Sequence, residues 1–382
     1  MTADRPNRRR AVTRLALGTT ALLARPATAQ AESRILLGAS CPLTGPSAQL
    51  GIQFNRGARL YFDHVNAAGG VGGQAIELKT LDDGYEPDRC KANTEALIQR
   101  ERVFALFGYV GTPTSIAALP LALEAGVPFF APFTGAEALR EPLHRTVFHV
   151  RASYYDETAL IVRQLTGLGL RRIAVFRQND SYGQAGLDGV QRALAPLGLK
   201  PVAVGLVERN SIDVAAAVRA IVPLRPDAVV QISAYKSCAA FIRQARTAGY
   251  GGTFYNVSFV GTQALADELG RDGLGVVVSQ VMPFPFSTAL PITREYLDAV
   301  QRAGGDARAN YSSIEGYIDA KVFVEGLRRA GARPTREALV AALEGLGRYD
   351  AGGYVVNFGP RNHRGSNFVE LSLLTGDGKV RV

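Results

Sequence analysis

Several short stretches of the 382-residue chain gather hydroxyl, amide and glycine residues in the way an anion site would need them. Residues 108–115 carry Tyr109, Thr112, Thr114 and Ser115, and Phe133, Thr134 and Gly135 stand together further on. Asn179, Asp180, Ser181, Tyr182 and Gly183 form a third group, Ser233, Ala234, Tyr235, Lys236 and Ser237 a fourth, and Asn256, Val257 and Ser258 a fifth. Each group follows an apolar run that reads as a strand, and in open α/β sheets the strand ends and helix starts aim backbone donors into a crevice where ligands bind. Hydroxyls and N–H groups so placed suit a carboxylate. For Thr112, Thr114 and Ser115 the alternative is simple capping of the next helix, a role Ser and Thr fill widely.

Other chemistries find no footing. Residues 69–73, Gly-Gly-Val-Gly-Gly, follow a helix and precede a strand, the wrong order for setting a helix N-terminus on a pyrophosphate, so they read as a turn. The sequence has no phosphate-cradling GxxxxGK[ST] and no GxSxG elbow. His64, His144, His149 and His363 are scattered, and no metal or cofactor is expected. Asp82-Asp83 closes a strand and reads as a solvated turn or cap. An exported α/β enzyme is disfavoured because no nucleophile, base and orienting group assemble.

The elements that must position these residues alternate. From Ile35 onward, short aliphatic runs at 35–39, 76–81, 103–107, 128–131 and 147–150 are separated by stretches of helical period, as βαβ units require. A second series, at 173–176, 202–207, 228–232, 254–257 and 276–281, repeats the arrangement. Helices are expected over 291–303, 312–330 and 335–346, then a β-ribbon over 354–382. The fold class predicted is α/β, with two similar doubly wound parallel-sheet lobes, which suits the length.

The formal charge of +9 invites a nucleic-acid reading, but six arginines and one acid fall within residues 1–31. The remainder holds 37 basic and 33 acidic residues with no Lys/Arg stripe, so no nucleic-acid partner is expected. Residues 1–31 read as a signal peptide: a basic stretch, an apolar run over 15–24 too short to span a bilayer, and small residues suited to cleavage. Arg9 and Arg10 fit a twin-arginine signal, with an ordinary secretory signal as the alternative. Cys41, Cys90 and Cys238 allow one disulfide at most, and Cys41 reads as a strand-end thiol rather than a lipid anchor.

Taken in order, Pro42-Leu43-Thr44-Gly45-Pro46, Val65-Asn66-Ala67-Ala68-Gly69-Gly70, Asp82-Asp83, residues 108–115, Phe148-His149-Val150-Arg151, Asp180-Ser181-Tyr182-Gly183 and Arg243-Gln244-Ala245-Arg246 resemble the periplasmic substrate-binding proteins of the leucine/isoleucine/valine type that serve ABC importers. The resemblance spans nearly the whole chain after residue 31 and implies a type I periplasmic binding protein fold. Its two lobes would close like a hinged clamp across three connections, near Arg151, Pro283 and Ala351. Lobe 1 would comprise 32–150 with 284–350, and lobe 2 would comprise 151–283 with 351–382. It implies that Thr112 and Phe133-Thr134-Gly135 hold a ligand carboxylate and that Tyr182 contributes beside Ala234-Tyr235. The expected partners are a small carboxylate-bearing ligand (an amino acid, aromatic acid or other organic acid) and membrane permease subunits, for a monomeric periplasmic protein. A ligand-sensing module of the same fold is the alternative.

The chain departs from this pattern in two places. Amino-acid binders of the family carry a carboxylate in the loop after the strand at 254–257, to pair with the ligand ammonium; here Ser258 stands there. A buried ammonium without a counter-charge is costly, which makes an α-amino acid a less secure ligand. Lys236 offers a positive charge instead, or is a solvated lysine at a helix start, while Tyr109 and Phe133 add aromatic surface or belong to the core. Where the family often has a cysteine pair, this chain has Tyr85 and Gly111, so that disulfide is absent.

Overall fold

Residues 35–41, Ile-Leu-Leu-Gly-Ala-Ser-Cys, can be buried on both faces, and in the computed structural model they become the inner strand β1 (Ile35–Cys41) of a parallel sheet. The described residues are 1–3 and 34–382, so the basic stretch, apolar run and cleavage site of the expected signal peptide lie outside them. Around β1 stand β2 (Ile76–Asp82), β3 (Ala105–Phe107), β4 (Phe129–Phe130) and β5 (Val147–Phe148), in the order β2-β1-β3-β4-β5, all parallel. The second sheet contains β6 (Ile173–Gln178), β7 (Val204–Val207), β8 (Ala228–Ile232), β9 (Thr253–Asn256) and β10 (Val277–Gln280), in the matching parallel order β7-β6-β8-β9-β10. The repeat expected from the sequence is therefore a repeat of topology. In each sheet the order reverses beside its first strand, and that reversal opens the crevice in which ligands of such folds bind.

The helices against the first sheet are α1 (Ala48–Ala67), α2 (Pro87–Glu95) and α3 (Thr112–Glu124). Those of the second series are α4 (Tyr154–Gly167), α5 (Ser181–Leu194), α6 (Ala215–Ile221), α7 (Tyr235–Thr247) and α8 (Thr262–Leu269), followed by α9 (Pro291–Ala303), α10 (Tyr311–Arg329) and α11 (Arg336–Glu344). In α1, Leu50, Phe54, Ala58, Tyr61, Phe62 and Val65 form one buried stripe. It meets α10 at glycines on both sides: a Cβ on Gly57 would fall 1.7 Å from the Ser313 carbonyl oxygen, and one on Gly316 would fall 2.1 Å from that of Phe54. The backbones touch there, so any larger residue must push the helices apart.

Three connections run between the sheets. The Tyr354 hydroxyl ties them together, lying 3.3 Å from the Val150 carbonyl oxygen and 3.2 Å from that of Val281. The third passage comes later than the expected Ala351. After β11 (Gly347–Asp350) the chain turns back, with the Asp350 carboxylate accepting from Gly352 N at 2.9 Å, into β12 (Val355–Phe358), which pairs with β11. Phe358 then packs edge-on against Phe148 at 5.4 Å, and His149 N donates to the His363 carbonyl at 2.9 Å, which keeps the segment on the first sheet. Only β13 (Glu370–Leu374) and β14 (Val380–Arg381) join the second sheet, β13 antiparallel to β10 and β14 antiparallel to β13. The ribbon expected over 354–382 is thus split between two partners, because β11 was not legible as a strand.

Asp82 behaves as a turn residue, accepting from Leu43 N at 2.8 Å and Gly84 N at 3.0 Å. Asp83 departs from the solvated turn expected of it: it is fully buried and accepts from Ser40 Oγ and Tyr85 N, each at 2.8 Å. All three cysteines are free and buried, Cys41 at the end of β1. Among the described residues no helix is long and apolar enough to cross a membrane, and no group of three His, Cys, Asp or Glu side chains is placed to hold a metal ion.

Candidate ligand-binding site

The loops leaving β3 and β4 bring hydroxyls together at the first sheet. Thr112 and Thr134 share a hydrogen bond of 2.7 Å between their Oγ1 atoms, Thr134 donates to the Tyr154 hydroxyl at 3.3 Å, and Ala136 N donates to Thr134 at 3.2 Å. All of these groups are buried. Gly111, with φ of +103°, turns the chain into α3, and no side chain caps that helix. Thr112 therefore spends its hydroxyl on Thr134 rather than on the helix start. Thr114 instead donates back to the Val110 carbonyl at 2.5 Å, within its own helical turn. Ser115 Oγ is buried and meets no hydrogen-bond partner among the described residues.

The second sheet supplies the facing wall. Tyr182, in the first turn of α5, is buried with its hydroxyl unpartnered among the described residues, and its ring lies 5.5 Å from Tyr154 and 4.7 Å from Phe259. Phe259 meets Phe133 at 5.6 Å and Tyr85 at 5.9 Å, so aromatic rings from both lobes touch. Tyr85 also fills the space over Gly111, where a Cβ would come within 2.2 Å of its ring. The two positions at which the resemblance would have a disulfide are thus joined by ring-to-glycine packing. Tyr235 is buried at the start of α7 and hydrogen-bonds with the Gln49 backbone of the opposite lobe, beside the buried Ala234. Gly135 accepts from Tyr154 N at 2.8 Å, which ties the hydroxyl loop to the first connection.

Two candidates stand apart from this group. Tyr109 is buried in a smaller cluster with Cys90, Leu97 and Phe129, its ring 5.0 Å from Phe129 and its hydroxyl 3.1 Å from Thr94. Its strand-end position placed it by the cleft, but its side chain turns to the other face of the sheet. Lys236 is exposed, whereas Tyr235 before it and Ser237 after it are buried.

Ser258 carries the least anticipated arrangement. Its N–H and hydroxyl donate to the two carboxylate oxygens of Glu157, at 2.7 and 3.0 Å, and Ser279 donates to the same carboxylate at 2.5 Å. Arg151 Nη2 donates to Ser258 Oγ, and Arg151 forms ion pairs with Glu157 at 3.6 Å and Glu315 at 3.5 Å. Its guanidinium lies 4.8 Å above the Phe133 ring. Asp319, one turn beyond Glu315 in α10, completes a group of three buried carboxylates around one buried arginine. Burial pushes Glu315 and Asp319 up, with like-charged neighbours adding to the shift and Arg151 opposing it. Burial works against ionised Arg151, but Glu315 and Glu157 outweigh it and keep the guanidinium charged.

A model of the periplasmic binding protein family matches residues 34–376. The chain belongs to the periplasmic binding protein family. It is 27% identical to Leu/Ile/Val-binding protein homolog 7 of Brucella suis over 387 residues, covering 96% of this chain and 94% of that protein. Its structure resembles that of a possible leucine/isoleucine/valine-binding protein from Rhodopirellula baltica, with a TM-score of 0.88 and 36% identity over 92% of this chain and 96% of the other. It also resembles a substrate-binding periplasmic protein from Ralstonia solanacearum, with a TM-score of 0.86 and 32% identity over 91% and 99%. This periplasmic binding protein therefore has the type I fold of the leucine/isoleucine/valine-binding type, and like its family it binds without catalysing a reaction.

Sequence reasoning passed over Tyr154, Glu157, Phe259, Glu315 and Asp319, and gave Arg151 only a place at a connection. Signals for some of them were present. Glu157 interrupts the apolar stripe of Tyr154, Ile161, Val162 and Leu165, and Glu315 and Asp319 sit four residues apart in a helix buried almost throughout. An acid on an apolar face implies a buried partner, but nothing along the chain names Arg151 as that partner.

Proposed function

We propose that this periplasmic binding protein is the extracytoplasmic solute-binding component of an ABC importer and that it clamps a small carboxylate-bearing ligand between two lobes. One observation carries the reading: the buried hydroxyls of Thr112, Thr134 and Tyr154 are joined by hydrogen bonds, and Tyr182, from the second sheet, packs its ring on Tyr154 with its hydroxyl lacking a protein partner among the described residues. Several neutral donors around one point stabilise a carboxylate without a bound cation. Lobe 1 comprises the first sheet with α9 to α11, lobe 2 the second sheet, and the connections tied by Tyr354 form the hinge. Closure sequesters the ligand and creates the surface that membrane permease subunits read, the protein acting as a periplasmic monomer.

The test is a thermal-shift panel on the chain from Glu32, refolded free of carried-over ligand, against amino acids, aromatic acids, other organic acids and their amides. A ligand at a hundred times its Kd adds about 2.7 kcal/mol of stability. A hit among carboxylates that is lost in the matching amide supports the reading, and binding by amides alone or by no member overturns it.

A further inference from the structure

We propose that the cavity between the second and third connections binds a small organic ammonium ion, held by the Glu370 carboxylate and the rings of Phe284, Tyr354 and Phe368. The cavity measures about 470 Å3, a size usual for small-molecule sites, and Ser287 and Leu290 complete its wall. Phe284 and Ser287 follow the second connection, Phe368 ends the third, and Glu370 opens β13. Tyr354 is the residue whose hydroxyl ties the two sheets at the Val150 and Val281 carbonyls. The site is therefore separate from the hydroxyls and rings gathered at the strand ends. Phe368 is 37% exposed and its ring stands edge-on to Tyr354, with centroids 6.1 Å apart, so aromatic surface is left open at the cavity.

Glu370 is the single charged side chain lining this cavity among the described residues. Its carboxylate accepts from the Tyr311 hydroxyl at 3.4 Å, long for a hydrogen bond between oxygens, and forms no ion pair among the described residues. Burial pushes its carboxyl up, and the Tyr311 hydroxyl alone opposes the shift. The basic side chains on neighbouring segments are engaged elsewhere: Arg294 donates to the Thr288 and Ala289 carbonyls at 2.5 and 3.1 Å, and Arg364 pairs with Glu137 and Glu141. A half-buried carboxylate without a cation favours one. An anion would be repelled, a wholly apolar occupant would strip water from Glu370 with nothing in return, and a metal ion would find one carboxylate where it needs several oxygen ligands. An ammonium with an apolar substituent meets both demands, its N–H groups facing Glu370 and its carbon skeleton and charge lying against aromatic rings.

The experiment titrates the chain from Glu32 with benzylammonium chloride and with benzyl alcohol, which has the same skeleton without the charge. Isothermal titration should show the ammonium binding roughly tenfold or more tightly than the alcohol, and Glu370→Gln should abolish that preference. Phe368→Ala, at an exposed ring, should weaken the ammonium while leaving Tm nearly unchanged. Crystals of the unaltered protein soaked with 4-bromobenzylammonium locate the site directly, so the matter is decided even where Glu370→Gln fails to fold: the anomalous bromine signal is expected between Ser287 and Phe368. A bromine signal elsewhere, such as at the strand ends, overturns the proposal. So do equal affinities for the ammonium and the alcohol, no binding of the ammonium at millimolar concentration, or a preference that survives in folded Glu370→Gln.

Discussion

Thr112 shares its hydroxyl with Thr134 because Gly111 turns the backbone into α3 without a side-chain cap, and the proposed function makes that pair a carboxylate donor. Thr112→Ala is accordingly expected to weaken carboxylate binding by about 1–3 kcal/mol, the cost of leaving a buried charged group one partner short; an unchanged Kd by titration would place the carboxylate elsewhere. Tyr182 separates binding from stability more cleanly. Its hydroxyl is buried and unpartnered among the described residues while its ring packs on Phe259 and Tyr154, so Tyr182→Phe should leave Tm equal or slightly higher and weaken the ligand. A drop in Tm with unchanged affinity would make Tyr182 a structural residue. Asp83 supplies a pH signature. Burial pushes its carboxyl up to about 6, against the hydrogen bonds from Ser40 and Tyr85 N. The folded state then holds this proton more tightly than the unfolded chain does, so Asp83 costs stability as pH rises from about 4 to about 6, and the cost is complete above that. Asp83→Asn should raise stability at pH 7 by up to about 3 kcal/mol, at about 1.4 kcal/mol per unit, with the gain vanishing near pH 4. Equal changes in Tm at pH 4 and pH 7 would refute this.

At the scale of elements, the seam between β5 and the segment after β12 depends on two buried histidines. His149 Nε2 lies 2.9 Å from the Leu139 carbonyl, and His363 Nδ1 lies 2.9 Å from that of Val147 while its ring stacks on Phe148 at 3.9 Å. Burial lowers both; Arg140 adds to the shift at His149, and the Val147 carbonyl opposes it at His363. The rings are therefore neutral donors in the fold, and as pH falls below about 6.5 the unfolded chain takes up protons first and stability is lost. His363→Asn, which keeps a donor for Val147, should flatten the fall of Tm between pH 6.5 and 5; an unaltered slope would assign the acid sensitivity elsewhere. Helices and strands of this kind were legible because aliphatic runs and apolar stripes survive in one dimension. β11 was not: Gly-Arg-Tyr-Asp alternates only from half-buried to exposed, and it is a strand because β12 folds back upon it.

Across the whole molecule, the lobes meet away from the hinge through Asn210, which accepts from Ser47 at 3.0 Å and donates to the Gly84 carbonyl at 3.0 Å and to Glu86 at 2.8 Å. Its backbone is left-handed, with φ of +59°, so Asn210→Gly removes the clasp without straining the loop. Apparent affinity scales with the fraction of molecules that can close, so this variant should bind more weakly with little change in Tm and show a larger radius of gyration by small-angle X-ray scattering before ligand is added. Unchanged scattering and affinity would mean that the ring contacts of Phe259 hold the lobes together alone. The sequence by itself determined the two repeated α/β series, the hydroxyl loops at their strand ends and the kinship to leucine/isoleucine/valine-binding proteins, because hydrophobic period and strand-end chemistry are local properties. Only the tertiary structure decided that Tyr109 faces away from the cleft, that Tyr85 packs on Gly111, and that Ser258 answers to Glu157 and Arg151. Those relations join residues up to 107 positions apart, as Arg151 and Ser258 are, and a contact of that span is fixed by how helices and sheets pack rather than by any pattern along the chain.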